Sequence, residues 1–138
     1  MNVLIYAYNA SAPLHRAAAQ WWEEQVNGGS SVGVCWPVFQ GFIRLLGERH
    51  VVEQPYSSEE LFAIADEWWA RPSIRLLSAT DHTYRHFRRL MEAHGLSGSM
   101  ATDALIPAFA LEHRGTLATN DTDFLRFREL SVVNPFDN

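Results

Sequence analysis

A chain of 138 residues with 47% hydrophobic residues and five tryptophans is long and apolar enough to build one domain with its own core. The formal net charge of -5 argues against a protein that binds nucleic acid through a strongly basic surface. All 11 basic residues are arginines, so enzymes that need a phosphate-loop lysine or a Schiff-base lysine are excluded.

The cellular compartment is indicated by the cysteine content and by the absence of targeting patterns. Cys35 is the one cysteine, which excludes an internal disulfide bond and fits a reducing compartment. No apolar run approaches the roughly 18 residues of a membrane span, and no secretion signal is present. We therefore expect a cytoplasmic protein that does not contact a membrane.

The first half of the chain alternates strand-like and helix-like patterns. The first six residues are apolar, β-branched and aromatic without helical spacing, which predicts a strand. Ser57 and Glu60 have the spacing of a capping box at the start of a helix. The predicted elements are a strand at 1–6, a helix at 13–27, a strand at 31–35, a helix at 37–46, a connection at 48–56 and a helix at 58–70.

The second half continues the alternation. A nearly all-apolar segment from residue 101 predicts a buried helix that ends near Gly115, with Pro107 bending its first turns. The other predicted elements are a strand at 74–77, a helix capped by residue 80 or 81 that ends at 94, a loop at 95–100, a strand at 116–119, a turn at 120–123 and a strand at 130–133.

This order of elements predicts an α/β fold with a mainly parallel sheet and right-handed crossovers, in one domain over residues 1–138. Functional sites in such folds lie at the carboxyl ends of the strands. A phosphoacceptor receiver is disfavoured because lysine and a paired-aspartate first strand are missing. A small-ligand binder is disfavoured because no Gly-rich loop follows a strand.

Three carboxylates fall at the expected end of the sheet. Asp103 precedes the buried helix, and Asp121 and Asp123 follow a strand. Carboxylates that converge repel each other unless a cation bridges them, and Mg²⁺ or Mn²⁺ suits oxygen ligands and substrate phosphates. One interpretation is therefore a metal site for phosphodiester hydrolysis. In the other, Asp103 complements a helix N-terminus, Asp121 makes an Asx-turn and Asp123 caps a short helix.

The motifs NVLIYAYN, HRAAAQWWEEQVNG, QGFIRLL, TDALIPAFALEHRGTLATNDTDFLRF and VVNPF occur in consistent order along the whole chain. Together they resemble the PIN-domain family, in particular the VapC-type toxins of bacterial toxin–antitoxin pairs. The resemblance implies a flavodoxin-like sheet with helices on both faces and a Mg²⁺-dependent endoribonuclease that hydrolyses RNA. It also implies a cognate antitoxin and a homodimer.

The resemblance also assigns roles to individual residues. Asp103, Asp121 and Asp123 match the acidic residues of the family and become the expected metal ligands and catalytic residues. Four further positions are expected to contact RNA: Asn2, Arg44, Thr119 and Asn120. Instead of RNA, Arg44 could contact a carboxylate of the antitoxin or form an ion pair on the surface of the protein.

Two positions depart from the family pattern. The aspartate of the opening motif would lie immediately before Met1, and Gly41 stands where many members have glutamate. We expect that the start is set too late and that a longer chain supplies this aspartate. If the chain is complete, the metal site is weaker, and the alternative function is a PIN-like module that only binds its antitoxin.

Two surface features have competing interpretations. The predicted helix at 81–94 carries a stripe of His82, Arg85, His86 and Arg89, which either binds phosphate or an acidic partner or is a solvated face. We assign the opposite, core-facing side to Tyr84, Phe87, Leu90 and Met91. In each adjacent tryptophan pair, 21–22 and 68–69, one ring is expected in the core and the other at the periphery, where it marks an interface or widens the apolar face.

Overall fold

The computed structural model describes residues 1–137, whose contacts group into two units, Met1–Leu76 and Leu77–Asp137. The first unit contains α1 (Asn2–Tyr8), α2 (His15–Asn27), β1 (Val32–Cys35), α3 (Trp36–Leu46), α4 (Ser58–Trp69) and β2 (Ile74–Leu77), whose last residue belongs to the second unit. The second contains α5 (Asp81–Ala93), α6 (Ala101–Glu112), β3 (Thr116–Ala118), β4 (Ser131–Val133) and 3₁₀ helices at Gly98–Met100 and Thr122–Arg126. The predicted α/β class is confirmed.

The predicted first strand is wrong, because residues Asn2–Tyr8 form a helix. Val3, Leu4, Ile5 and Ala7 are all buried, so the segment is apolar around most of its circumference. A short, fully buried apolar run cannot be assigned to helix or strand from its periodicity. Tertiary burial here overrides the β-branched composition.

The strands form two separate pairs instead of one continuous sheet among the described residues. β1 pairs with β2, and β3 pairs with β4 in parallel, with Thr116 opposite Ser131 and Ala118 opposite Val133. The parallel direction of the second pair agrees with the predicted topology. The predicted loop at 95–100 contains the short 3₁₀ helix Gly98–Met100, and α6 continues through the buried Pro107.

The core of the first unit is centred on Trp68, which is only 3% exposed. Its ring packs against Phe42 at 4.8 Å and Trp22 at 5.4 Å between centroids, and its indole N–H donates to the Tyr8 hydroxyl at 3.0 Å. Trp22 and Trp68 are buried, whereas their neighbours Trp21 and Trp69 are only partly buried. The prediction of one core ring and one peripheral ring in each tryptophan pair is therefore confirmed. The predicted Ser57–Glu60 capping box at α4 is also confirmed.

The core of the second unit lies between α5, α6 and the segment that leads to β4. Five buried residues form it: Leu90, Ala104, Ala108, Phe127 and Leu130. None of the helices in the described part of the chain is long and apolar enough to cross a bilayer.

The assignment of Tyr84 to the core face of α5 is wrong, because its side chain is 60% exposed. Thr83 is buried in its place at 2% exposure. The Thr83 hydroxyl donates to Oε2 of Glu112 at 2.5 Å, which satisfies a polar group inside the unit. The sequence pattern assigns the large aromatic ring to the core, because a buried hydrogen bond of this kind cannot be predicted from the pattern.

Glu112 joins the end of α6 to the beginning of α5. Its carboxylate accepts hydrogen bonds from Thr83 and from the hydroxyl of Thr80, the N-cap residue of α5. Burial alone would raise the pKa of Glu112, but the two hydroxyl donors and the nearby His113 and His82 lower it below the ordinary value of 4.5. The carboxylate is therefore stabilised in its charged form.

We predict that Glu112→Gln lowers the free energy of unfolding by about 1–2 kcal/mol at pH 7, because two hydrogen bonds to a charged acceptor are weakened. The folded-state pKa is depressed, so this contribution is complete above pH 4.5 and is lost as the pH falls through the folded-state value. Urea unfolding at pH 7 and pH 3 measures the difference. Glu92→Gln, which breaks an exposed pair with Arg88, is the control and should cost less than about 0.5 kcal/mol.

A second stability prediction concerns the aromatic core of the first unit. Trp68→Ala should cost about 3–5 kcal/mol, because it leaves a cavity among packed rings and leaves the Tyr8 hydroxyl without its indole donor. Trp69→Ala removes a ring of the same size from a less buried position and should cost clearly less. Equal losses in thermal or urea unfolding would contradict the central position of Trp68.

Candidate active site

Asp103 lies in the first turn of α6, where the buried helix meets the surface. Ala104 and Ala108 face the core, so the helical spacing leaves the Asp103 side chain on the outside, 50% exposed. A carboxylate in the first turn is also favoured by the partial positive charge of a helix N-terminus. The sequence therefore places an accessible carboxylate at a fixed point of a buried element.

Asp121 and Asp123 lie in the segment that follows β3, and both are exposed. Asp121 is the N-cap of the 3₁₀ helix Thr122–Arg126, and its Oδ1 accepts a hydrogen bond from the amide of Asp123 at 2.9 Å. The amide of Asp121 in turn donates to the hydroxyl of Thr119 at 3.1 Å, a side chain that is 4% exposed. Two consecutive hydrogen bonds thus determine the course of this acidic turn.

The same turn is tied to β4 by its neighbours. Thr119 lies one residue beyond the end of β3, and its amide donates to the carbonyl of Val133, the last residue of β4, at 2.9 Å. Next to it, the Asn134 side-chain amide donates to Oδ1 of Asn120 at 3.1 Å, while its own oxygen accepts from the amide of Phe136. The end of β4 is therefore part of the support for Asp121.

Arg126 connects the two acidic segments. Its Nη2 donates to Oδ2 of Asp103 at 3.0 Å, and its guanidinium carbon lies 5.0 Å from the centroid of the Phe127 ring. Because Arg126 belongs to the same 3₁₀ helix as Asp123, this contact places the first turn of α6 beside that helix. The carboxylates predicted as ligands therefore belong to neighbouring segments of one unit.

The donor atoms of this region suit a hard divalent cation. They are carboxylate oxygens open to solvent, and Mg²⁺ binds through one or two protein carboxylates plus water and substrate phosphates. Within residues 1–137, however, no group of three or more His, Cys, Asp or Glu side chains is arranged to hold a metal ion. The carboxylates could therefore supply some of the ligands of a Mg²⁺ ion, and water and substrate phosphates would supply the others.

The remaining predicted site residues are divided between the two units. Thr119 and Asn120 support the acidic turn through the hydrogen bonds described above. Asn2 begins α1 and the exposed Arg44 lies in the last turn of α3, both in the first unit. Gly41 in that unit is buried, and a Cβ there would meet the Met1 side chain at 2.4 Å.

Sequence reasoning missed two residues that contact the predicted site residues. In the sequence, Arg126 is part of the motif that contains the three aspartates and has no predicted role of its own, and Asn134 is part of the terminal VVNPF. The position of Arg126 one turn after Asp123 suggests proximity to an acidic site, but its pairing with Asp103 depends on how α6 packs. Asn134 has no local signal, because its partner Asn120 lies on the preceding strand connection.

The family model for the PIN domain matches residues 1–130. The chain belongs to the PIN-domain family. Ribonuclease VapC33 of Mycobacterium tuberculosis is 30% identical over 135 residues, which is 98% of this chain and 94% of the relative. Ribonuclease VapC43 of the same organism is 31% identical over 137 residues, which is 99% of this chain and 93% of the relative.

Solved structures agree with this PIN-domain fold. VapBC2 from Rickettsia felis, bound to a DNA fragment from its promoter, superposes with a TM-score of 0.67 at 18% identity, covering 96% of this chain and 93% of the other. FitAcB from Neisseria gonorrhoeae superposes with a TM-score of 0.64 at 17% identity, covering 98% and 94%. At these identities the superpositions show a shared fold.

We predict that Thr119→Val loosens the acidic turn. The substitution keeps the shape of the buried side chain but removes the oxygen that accepts the Asp121 amide, at a cost of about 1 kcal/mol. Hydrogen exchange at the amides of Asp121 and Asp123 should become faster. Thr116→Val at the start of β3, where the hydroxyl contacts Ser131 at the surface, should leave both exchange rates unchanged.

Proposed function

We propose that the chain is a Mg²⁺- or Mn²⁺-dependent endoribonuclease, the toxin of a toxin–antitoxin pair that hydrolyses RNA phosphodiester bonds. The observation that carries the proposal is the exposed position of Asp103, Asp121 and Asp123 on adjoining segments of one unit. The naming of the curated relatives as ribonucleases supports it.

The proposed roles of the residues follow from their positions. Asp103 and Asp121, assisted by Asp123, would hold the cation, since their oxygens are open to solvent and to a bulky substrate. The bound cation would supply an activated water and offset negative charge on the phosphate. Thr119 keeps the backbone of the acidic turn in place through its buried hydroxyl.

Substrate contacts are assigned to residues that can donate hydrogen bonds to phosphate or sugar oxygens. Asn2, Arg44 and Asn120 carry such donors, and we propose that each of them contacts RNA. An acidic chain can act on RNA in this way, because the cation and a few arginines, not a basic surface, meet the phosphate.

The proposed partner is a cognate antitoxin, because solved relatives of the same fold are VapBC complexes. We further propose that the chain acts as a homodimer in the cytoplasm. The alternative function is a PIN-like module that binds its antitoxin without cutting RNA. The observation that favours this alternative is that, within residues 1–137, no group of three or more His, Cys, Asp or Glu side chains is arranged to hold a metal ion.

We predict that Asp103→Asn lowers the rate of RNA cleavage at least about a hundredfold, because it weakens a ligand of the proposed cation. Cleavage of total RNA is followed with added Mg²⁺, and a chelator should stop it. Asp81→Asn, which also changes an exposed aspartate in the first turn of a helix of the second unit, is the control and should keep full activity.

The outcome separates the two functions. Cleavage by Asp103→Asn at the normal rate would show that the site lies elsewhere. No cleavage by the folded wild-type chain, together with binding of its antitoxin, would support the binding-only module.

A further inference from the structure

The contact between Arg126 and Asp103 is built on a fixed support. The guanidinium lies over the ring of Phe127, and that ring is buried at 1% exposure in the core of the second unit. The arginine is held against apolar surface while its donor reaches the carboxylate, which reduces the entropy lost on pairing.

The Arg126–Asp103 ion pair is expected to contribute little to the free energy of folding. Both side chains are partly exposed, at 35% for Arg126 and 50% for Asp103, and ion pairs in such positions contribute little to folding. Asp103 is already favoured by the N-terminus of α6. A weak pair that holds one carboxylate oxygen is also one that another cation can displace.

We infer that Arg126 is the counter-ion of Asp103 in the metal-free protein, and that a divalent cation competes with its guanidinium for this carboxylate. The inference rests on the proposed function, because it concerns the regulation of the same site. Arg126 is thus a positioning residue, which holds Asp103 in place and competes with the metal for it.

The sign of the effect follows from electrostatics. A guanidinium and a divalent cation carry like charges and share one acceptor, so each weakens the binding of the other. Removing the guanidinium frees an oxygen of Asp103 and removes the repulsion. The effect should be largest at low ionic strength, since salt screens charges in exposed positions.

The inference is tested by titrating the full chain with Mn²⁺ at low salt and measuring free Mn²⁺ by its electron paramagnetic resonance signal. Arg126→Gln should tighten the apparent Kd about threefold to tenfold relative to wild type. Arg126→Lys keeps the charge and should stay within about twofold. Thermal unfolding confirms that each variant is folded.

A matched control and a double variant isolate the contact. Arg128 is exposed, lies two residues further along and has no ion pair within residues 1–137, so Arg128→Gln should leave the Kd unchanged. In an Asp103→Asn background, Arg126→Gln should have a clearly smaller effect, because the shared acceptor is gone and only the repulsion between the two cations remains.

Unchanged or weaker Mn²⁺ binding by Arg126→Gln, or equal tightening by Arg128→Gln, overturns the inference. A failure of every variant to bind Mn²⁺ also overturns it.

RNA cleavage is measured on the same preparations, to distinguish the counter-ion role of Arg126 from the proposed ribonuclease activity. Cleavage by the wild type with no effect of Arg126→Gln on Mn²⁺ binding overturns only the counter-ion role. Tighter binding by Arg126→Gln without wild-type cleavage supports that role and contradicts the ribonuclease.

Discussion

The parallel pairing of β3 with β4 is the constraint on which the candidate site depends. The pairing continues past the strands, because the Thr119 amide donates to the Val133 carbonyl at 2.9 Å. This bond sets where the chain leaves the sheet, and the buried Thr119 hydroxyl then orients the Asp121 amide. The strand pairing and the Thr119 hydroxyl thus fix where the acidic turn begins, so a rigid element presents the exposed charged groups.

Packing of α6 supplies the other side of the site. Ala104 and Ala108 are fully buried and bring the helix close to its neighbours, which fixes the backbone of the first turn that carries Asp103. Arg126 then joins this turn to the 3₁₀ helix through one hydrogen bond. The buried alanines thus fix the position of the Asp103 carboxylate, and Arg126 places a positive charge beside it.

The sequence predicts well those features that depend on local chemistry. The capping box at Ser57, the bounds of β2 and the exposed turn at Asp121 follow from side-chain hydrogen bonding or hydrophobic pattern within a few residues. The errors arise where burial on several sides removes the pattern, as in α1, or where a buried hydrogen bond reverses hydropathy, as with Thr83 and Tyr84. The partners of Arg126 and Asn134 could not be predicted, because they depend on contacts between distant segments.

We propose that Asp103 and Asp121 bind one divalent cation. The most direct test is a crystal structure of the chain grown with Mn²⁺, with the ion located by its anomalous signal. We expect a peak about 2.1 Å from an oxygen of Asp103 and from an oxygen of Asp121 or a water bound to it, with Arg126 displaced. Mn²⁺ at saturating concentration with no peak beside Asp103, and with the Arg126 contact intact, would contradict it.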